Sequence, residues 1–402
     1  MSEKSIVYWA SPWELMAFPN SAKNIITNNL VKTKFLLDKL LDDFINNGDK
    51  VGVKVHVGER YNTRYLRHDY VREVVNAIKE KGGIPILIET QNLGMDIQHI
   101  NLSENYSINI MRRKTAAEHE KTAQLHGYSE SIVGAPLKFI DGDKGLDGKI
   151  IEIDGIHLKE VSVGIGLYEF DKIVAISHFK GHQAAGFGGA MKQLGIGFLS
   201  KTGKYRSHFN SDMSINKKRC NISKCSQECI DACPVNAIKI EGESAIIDPT
   251  ICVCCTACLE KCPVKKAINR DFNMDFKNFI ERVCDNCAAV INSYGPEKFR
   301  YINFAFDVVA QCDCVATPSM PIIPDLGIFG SSDPVAIDKA CIDAETNAPG
   351  LPIMDQNGQW KESTPIGIEK FNAINKMVDS SWFFDAAVKN KLGNIDYELI
   401  KI

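Results

Sequence analysis

No cysteine occurs before Cys220 in this 402-residue chain. A disulfide framework that stapled the whole fold would spread its thiols, so that class is excluded for the first half. There is also little net charge, −3 at pH 7, and so no global pull toward nucleic acid or an anionic membrane. Long apolar runs are missing: no window approaches the ~18 uninterrupted apolar residues of a membrane span. The opening MSEKSIVYWASPWEL has no apolar stretch of signal-peptide length. A cytoplasmic location is the resulting expectation, and there clustered cysteines bind metal more often than they form disulfides. No Walker loop and no flavin or nicotinamide fingerprint is visible. No nucleic-acid motif stands out; the basic NKKRCNISK (216–224) reads as a short docking face or a solvated loop. With 45% hydrophobic and 24% charged residues, the chain has the means for two or three globular domains.

What is present is concentrated. Of the 14 cysteines, all but Cys341 lie between Cys220 and Cys314. Cys252, Cys255, Cys258 and Cys262-Pro263 read C-x2-C-x2-C-x3-C-P, the bacterial ferredoxin run. Short spacers wrap three thiolates around one iron–sulfur cube, and the fourth cysteine turns away to the other cube. Structural zinc is the competing reading, but zinc pairs come more often as two separated C-x2-4-C units. Cys220, Cys225, Cys229 and Cys233-Pro234 form a partner run with stretched spacers, which leaves open a lesser cluster there. CPVNAI (233–238) is echoed by CPVKKAI (262–268), and IKIEGESAIID between them reads as a hairpin about Gly242. The expectation is two [4Fe-4S] clusters with crossed ligands. Cys220, Cys225, Cys229 and Cys262 hold one; Cys233, Cys252, Cys255 and Cys258 hold the other. Cys254 is left over, as a small residue packed nearby or one that swaps with a ligand.

Before the module the pattern alternates strand and helix. VGVKVHV (51–57) is a β-branched run. Leu66, Tyr70, Val74 and Ile78 then share a helix face, and IPILIET (84–90) is a second strand. This is a βαβ unit with a parallel pair. KIIEID (149–154), KIVAISH (172–178) and FRYINFAFDVVAQ (299–311) add strands. The fold class is therefore α/β: a mostly parallel sheet with flanking helices, interrupted by a small ferredoxin-like α+β module. Residues 1–215 and 271–402 belong to the α/β domain and 216–270 to the module.

Ligands of open α/β sheets bind beyond the carboxyl ends of strands. Lys54 and His56 lie at one such end, Gln91 and Asn92 at another, and His178, Lys180 and His182 at a third. The last leads into a glycine-rich stretch, where Gly186, Gly188 and Gly189 permit close backbone approach and GGAMKQLG begins a helix carrying Lys192. Its N-terminal amides could receive an anion. Each group also has a plain reading as a satisfied loop residue or a packing glycine. CDC (312–314) puts Cys312 and Cys314 on one side of an extended end and Asp313 on the other. With Cys284 and Cys287 these make four thiols, a possible third metal site; a redox pair and simple packing are the alternatives. Asp333 and Pro334 start a helix, and Asp325 and Asp338 could face the pocket.

GVKVHVGE, SHFKGHQAAGFGGAMKQLGIG, GKYRSH, the embedded cysteine run, CDC and PDLGIFGSSDPVAID, in this order, resemble the domain-of-unknown-function 362 family of iron–sulfur proteins. The likeness spans roughly residues 50 to 345. Two features depart from it: the stretched first cysteine run, and KQLGIG where many members read KNLGMG. The resemblance implies an α/β domain carrying a two-cluster ferredoxin module and supplies no reaction. The implied fold is distantly similar to that of the nickel-pincer lactate racemases, which use His and Lys in a cleft; fold does not imply function. The expected role is an iron–sulfur oxidoreductase. A soluble electron donor or acceptor protein would serve it, and a small anionic or carbonyl-bearing substrate, or a second cofactor, would bind in the cleft. Lys54, His56, Lys180, His182 and Lys192 would orient negative charge, and a histidine (His56, His178 or His182) or Asp313 would relay protons. The alternatives are an electron carrier without its own chemistry and a non-redox enzyme with structural clusters.

Overall fold

The computed structural model describes residues 4–13, 28–93, 99–264, 266–269, 275–317, 319–355 and 357–402. Its frame is an eight-stranded sheet. From edge to edge the strands are Tyr397–Lys401, Ser5–Ala10, Gly327–Ser331, Phe299–Ala305, Lys172–His178, Lys50–Lys54, Ile84–Glu89 and Leu137–Phe139. Only Gly327–Ser331 runs against its neighbours; every other pairing is parallel. The sequence reading of a mostly parallel α/β sheet is what the chain adopts.

Alternation along the strands explains the layers. Val51, Val53, Leu87, Val174 and Ile176 face one apolar layer, which the helices Asn29–Leu40 and His68–Glu80 cover. Ile88, Ile173 and Ala175 face the other, under the helices Ala190–Gly195, Phe276–Tyr294, Pro334–Asn347 and Ser381–Lys389. Burial on both faces is why these strands read as continuous β-branched runs. The helix His68–Glu80 buries Tyr70, Val74 and Ile78 as their spacing predicts; Leu66 lies just ahead of it. Asp333 caps Pro334–Asn347, its carboxylate accepting from the amides of Val335 and Ala336.

Two expected strands differ. The 149–154 segment does not join the main sheet: Gly148–Glu152 pairs antiparallel with Glu160–Gly164 as a separate ribbon. The 299–311 run ends as a strand at Ala305, where the chain bends toward the 312–315 turn. Among the described residues no helix is long and apolar enough to cross a membrane.

The cysteine segment stands apart with a small core of its own. Met213, Cys229, Ile238, Ala245, Cys254, Cys258 and Ile268 pack together, and Leu93 and Tyr205 from the larger body complete the cluster. The hairpin forms as expected from Ile238–Glu241 and Ser244–Ile247, with Gly242 at positive φ. Ser214–Ile215 pairs antiparallel with Ile268–Asn269, so the segment leaves and re-enters the body at nearly one point.

Candidate functional site

The chain lays down Lys50–Lys54, Ile84–Glu89 and Leu137–Phe139 on one side, then crosses to Lys172–His178 and Phe299–Ala305 on the other. The order reverses between Lys50–Lys54 and Lys172–His178, and a cavity of about 430 Å³ opens at that point beyond the strand ends. His56 and Glu89 reach it from one side of the reversal, Ser177, Lys180 and His182 from the other. Lys192 and Lys204 come from two short helices, Arg113 from a loop, and Cys314 from the turn after Phe299–Ala305.

Ion pairs hold the walls. Lys54 is fully buried, and its ammonium donates to Glu89 Oε1 at 2.6 Å and to the Val55 carbonyl at 2.6 Å. Burial pushes the Glu89 carboxyl upward, but the Lys54 ammonium and the His56 ring outweigh it and hold it well below the usual range. His56 Nδ1 lies 3.3 Å from Glu89 Oε2. Arg113 Nε donates to Glu59 at 3.1 Å. Lys204 donates to Thr90 Oγ1 at 2.6 Å and to the Gln91 carbonyl at 2.5 Å, and burial lowers its pKa. Across the cavity, buried Asp313 lies 3.0 Å from His178 Nδ1 and 3.1 Å from Lys180 Nζ. Burial alone would raise Asp313; those two partners bring it down to about 2. His182 and His208 are pushed down to about 3 and about 4, burial first, with Lys192 adding to it, so both rings are neutral at pH 7. His56 Nε2, Arg113 Nη2 and Ser177 Oγ are buried without a hydrogen-bond partner among the described residues. Buried polar atoms of this kind are costly unless something binds them.

The expected site residues divide. His56, Lys180, His182, Lys192, Gly188 and Gly189 line the cavity. Lys54 and Asp313 do not; each stands behind a lining residue as its counterion. His178 is spent on structure, with Nδ1 on Asp313 and Nε2 2.8 Å from the Phe306 carbonyl. Gly186 opens the return strand of the 180–188 hairpin, paired with His182, at positive φ against Val378 and Ser380, and is not among the cavity-lining residues. The helix N-terminus expected to receive an anion is already occupied. Asp338 accepts from the amides of Ala190 at 2.7 Å and Met191 at 2.9 Å, and a Cβ on Gly189 would meet its carboxylate at 2.2 Å. Asp338 thus fixes a helix instead of facing the pocket. Glu89, Arg113, Lys204 and His208 escaped the sequence reading. Lys204 and His208 sit within GKYRSH, but nothing local marks Arg113.

The cysteine segment presents two thiol groups. The thiols of Cys262, Cys220 and Cys225 act on Cys229, and those of Cys255, Cys252, Cys229 and Cys233 act on Cys258. Each of the C-P cysteines therefore lies near thiols of the opposite run. Cys233, Cys252, Cys255 and Cys258 also line a small cavity. Amides of Ala237, Ala245 and Cys254 point at Cys233, Cys220 and Cys252 sulfurs at 3.2, 3.3 and 3.4 Å. Four converging thiols with N–H donors on the sulfurs are a donor set that fits an iron–sulfur cluster. The sequence repeat is also a backbone repeat. Gln227 and Thr256 both sit at positive φ immediately before the short helices Glu228–Asp231 and Ala257–Lys261, and Asn236 and Lys266 recur at positive φ after the C-P pairs. In that register Cys225 matches the leftover Cys254, which packs 3.8 Å from Asp212, and Ser226 matches Cys255.

The four-thiol third site does not assemble. Cys284 and Cys287 lie in the core on Phe276–Tyr294, their thiols donating to the carbonyls of Phe383 and Met191. Cys312 and Cys314 instead approach His182, with one ring nitrogen and both sulfurs within 4.8 Å of one another. The ring argues against a metal there. The amides of Ala184 and Ala185 donate to Nδ1 at 3.1 and 3.0 Å, which puts the neutral ring's proton on Nε2, the atom 3.9 Å from Cys314 Sγ.

The segment touches the cavity. Thr256, inside the second cysteine run, donates its hydroxyl to the carbonyl of Leu93 at 3.2 Å. Leu93 and Phe209 belong both to the cavity wall and to the packing around the cysteines. Thr202 and Lys114 add bonds to Val253 and Glu260.

Comparison with known proteins gives the following. The family profile described as Domain of unknown function (DUF362) matches residues 51–343. A ferredoxin of Alicyclobacillus acidocaldarius is 37% identical over 62 residues, 15% of this chain and 80% of that protein. A Ferredoxin 7Fe of Hydrogenibacillus schlegelii is 34% identical over 55 residues, 13% of this chain and 70% of that protein. A tetrathionate reductase subunit of Archaeoglobus fulgidus is 31% identical over 111 residues, 27% of this chain and 48% of that protein. Among solved structures, a Thermotoga maritima protein aligns with a TM-score of 0.36 at 14% identity, covering 72% of this chain and 54% of that one. The lactate racemase apoprotein of Thermoanaerobacterium thermosaccharolyticum aligns at 0.28 and 12% identity, covering 51% and 41%. Both structural likenesses are too loose to bear on activity.

Proposed function

The chain belongs to the domain-of-unknown-function family DUF362, and from that premise we propose that it is an iron–sulfur oxidoreductase acting on a small anionic substrate in the strand-end cavity. The ferredoxin relatives over the cysteine segment support an iron–sulfur electron-transfer protein. Cys220, Cys225, Cys229 and Cys262 would hold one [4Fe-4S] cluster, and Cys233, Cys252, Cys255 and Cys258 the other. Bound clusters of this kind store and release single electrons. The observation that carries the reading is the shared wall: Leu93 is bonded to Thr256 of the cysteine run and lines the cavity. Lys180, Lys192 and Arg113 give that cavity a cationic lining, and the unpartnered Arg113 Nη2, His56 Nε2 and Ser177 Oγ are ready to bind and orient an anion. His182 and His208 stay neutral beside those cations, so neither adds charge to the cavity at pH 7.

The test takes anaerobically purified protein. Near eight irons per chain and EPR signals from reduced clusters are expected. Oxalate, as a small dianion, should raise the melting temperature, and Arg113→Ala or Lys180→Ala should remove that rise while leaving iron content unchanged. Iron-free protein would end the redox reading. An oxalate effect that survives both substitutions would end the assignment of the cavity. A second reading, an electron carrier without its own chemistry, has the likeness to a tetrathionate reductase subunit in its favour. It predicts stable capture of a soluble partner and no response to oxalate.

A further inference from the structure

Cys312 and Cys314 are not used by the reading above, yet they lie beside its cavity. The Val315 amide donates to the Cys312 carbonyl at 3.2 Å, so residues 312–315 form a turn and the two sulfurs approach within 4.8 Å. A disulfide needs Cα atoms within about 4.4–6.8 Å, a spacing that a turn allows and a straight strand strains. Cys312 is fully buried, whereas Cys314 is partly exposed and lines the cavity. Lys192 Nζ lies 3.5 Å from Cys312 Sγ, and the Cys314 amide points at the same sulfur at 3.5 Å. Two donors on one buried sulfur favour its thiolate. His182 Nε2–H faces Cys314, and Asp313, between the two cysteines, anchors Lys180 at 3.1 Å.

We propose that Cys312 and Cys314 form a redox-active dithiol that reduces a small anionic disulfide bound in the cavity. The proposal rests on the reading that single electrons reach this cavity. Thiol–disulfide exchange is the transfer a dithiol makes with no further cofactor, and the lining of Lys180, Lys192 and Arg113 selects negative charge. In the forward step the Cys314 sulfur attacks one substrate sulfur while the Cys312 thiolate takes its proton. The first product leaves with that proton as a thiol. Cys312 then attacks Cys314, forming the intramolecular disulfide and releasing the second product as a thiolate. To reset, the disulfide takes up two electrons, delivered one at a time by a low-potential one-electron donor, and one proton. This restores the Cys312 thiolate and the Cys314 thiol.

The sequence supplies a clean assay. Trypsin cuts after Arg300 and Lys339, and the peptide between them contains Cys312 and Cys314 and no other cysteine. Anaerobic protein is treated with 3,3′-dithiodipropionate, alkylated in denaturant and digested. The peptide should be unalkylated and two hydrogens lighter; after treatment with reduced methyl viologen it should be alkylated at both sulfurs. Cys312→Ser should trap a mixed disulfide on Cys314, and Cys314→Ser should form neither product. Neutral bis(2-hydroxyethyl) disulfide should react about tenfold more slowly. Alkylation at both sulfurs under every condition would overturn the proposal, as would loss of a bound metal ion from Cys314→Ser with the eight cluster thiols intact. Equal rates with the neutral reagent would overturn the anionic substrate class. The forward step needs no iron, so a disulfide that forms with 3,3′-dithiodipropionate but that reduced methyl viologen leaves closed would sink the electron-delivery reading and leave the dithiol exchange standing.

Discussion

The cysteine segment and the α/β body are held together by different physics. The body buries two continuous apolar layers against its sheet. The segment's cluster buries nine residues, three of them cysteines and three (Leu93, Tyr205 and Met213) from outside 216–270. A core that small cannot order so many residues, and domains of this size commonly depend on metal. The body therefore folds on burial and answers to protons through its interior ion pairs, whereas the segment is expected to fold on its thiol ligands and to answer to iron.

Removing the metal should separate the two regions most sharply. Chelation under oxidising conditions, or Cys258→Ser, is expected to expose residues 216–270 to protease while the body's unfolding transition stays where it was. Cys258→Ser should leave about half the iron. Limited proteolysis with iron counting checks both. A segment that stayed folded without iron would erase the contrast, since its apolar contacts would then suffice.

A change in the body should do the reverse. Asp338 is fully buried and accepts from Ala190 and Met191 amides and from the Asn303 side chain. Asp338→Ala leaves three buried donors unpaired, a loss of about 3 kcal/mol. Chemical denaturation should report that loss at unchanged iron content. Because the helix it fixes carries Lys192, the oxalate effect should weaken as well. Iron loss in Asp338→Ala would mean that the two regions are coupled more tightly than their few bridging bonds imply.

What could be read in advance followed the range of each interaction. The cysteine spacing, the hairpin at Gly242, the βαβ unit and the Asp333 cap are local patterns, and all four are in the structure. The antiparallel strand Gly327–Ser331 was not legible, because it is inserted between the preceding strand Phe299–Ala305 and Ser5–Ala10 from the other end of the chain. The cavity was legible as a set of strand ends. Which polar groups line it was not, since that depends on pairings such as His178 with Asp313, Lys54 with Glu89 and Asp338 with the 190–191 amides. In each case a charged residue near the site is consumed by a partner from a distant segment. Arg113 is the converse: its loop has no motif, and only the Glu59 carboxylate brings it to the wall.

The smallest expected effect tests the proton side of the contrast. His208 lines the cavity with Nδ1 2.7 Å from the Lys204 carbonyl, and burial pushes its pKa down to about 4, against about 6.5 in an unfolded chain. Between those values the unfolded chain binds a proton that the folded chain does not. The contribution of His208 to stability is therefore full above pH 6.5 and is lost as pH falls toward 4. His208→Gln lacks this dependence. Relative to the variant, the wild-type body should lose up to about 2 kcal/mol between pH 7 and pH 5. His182 titrates in the same direction in both proteins, so the difference between them isolates His208. Denaturation midpoints at the two pH values measure it. A variant that tracked the wild type across that interval would mean that the ring is solvated, and that the cavity is wet enough to protonate its imidazoles without opening the fold.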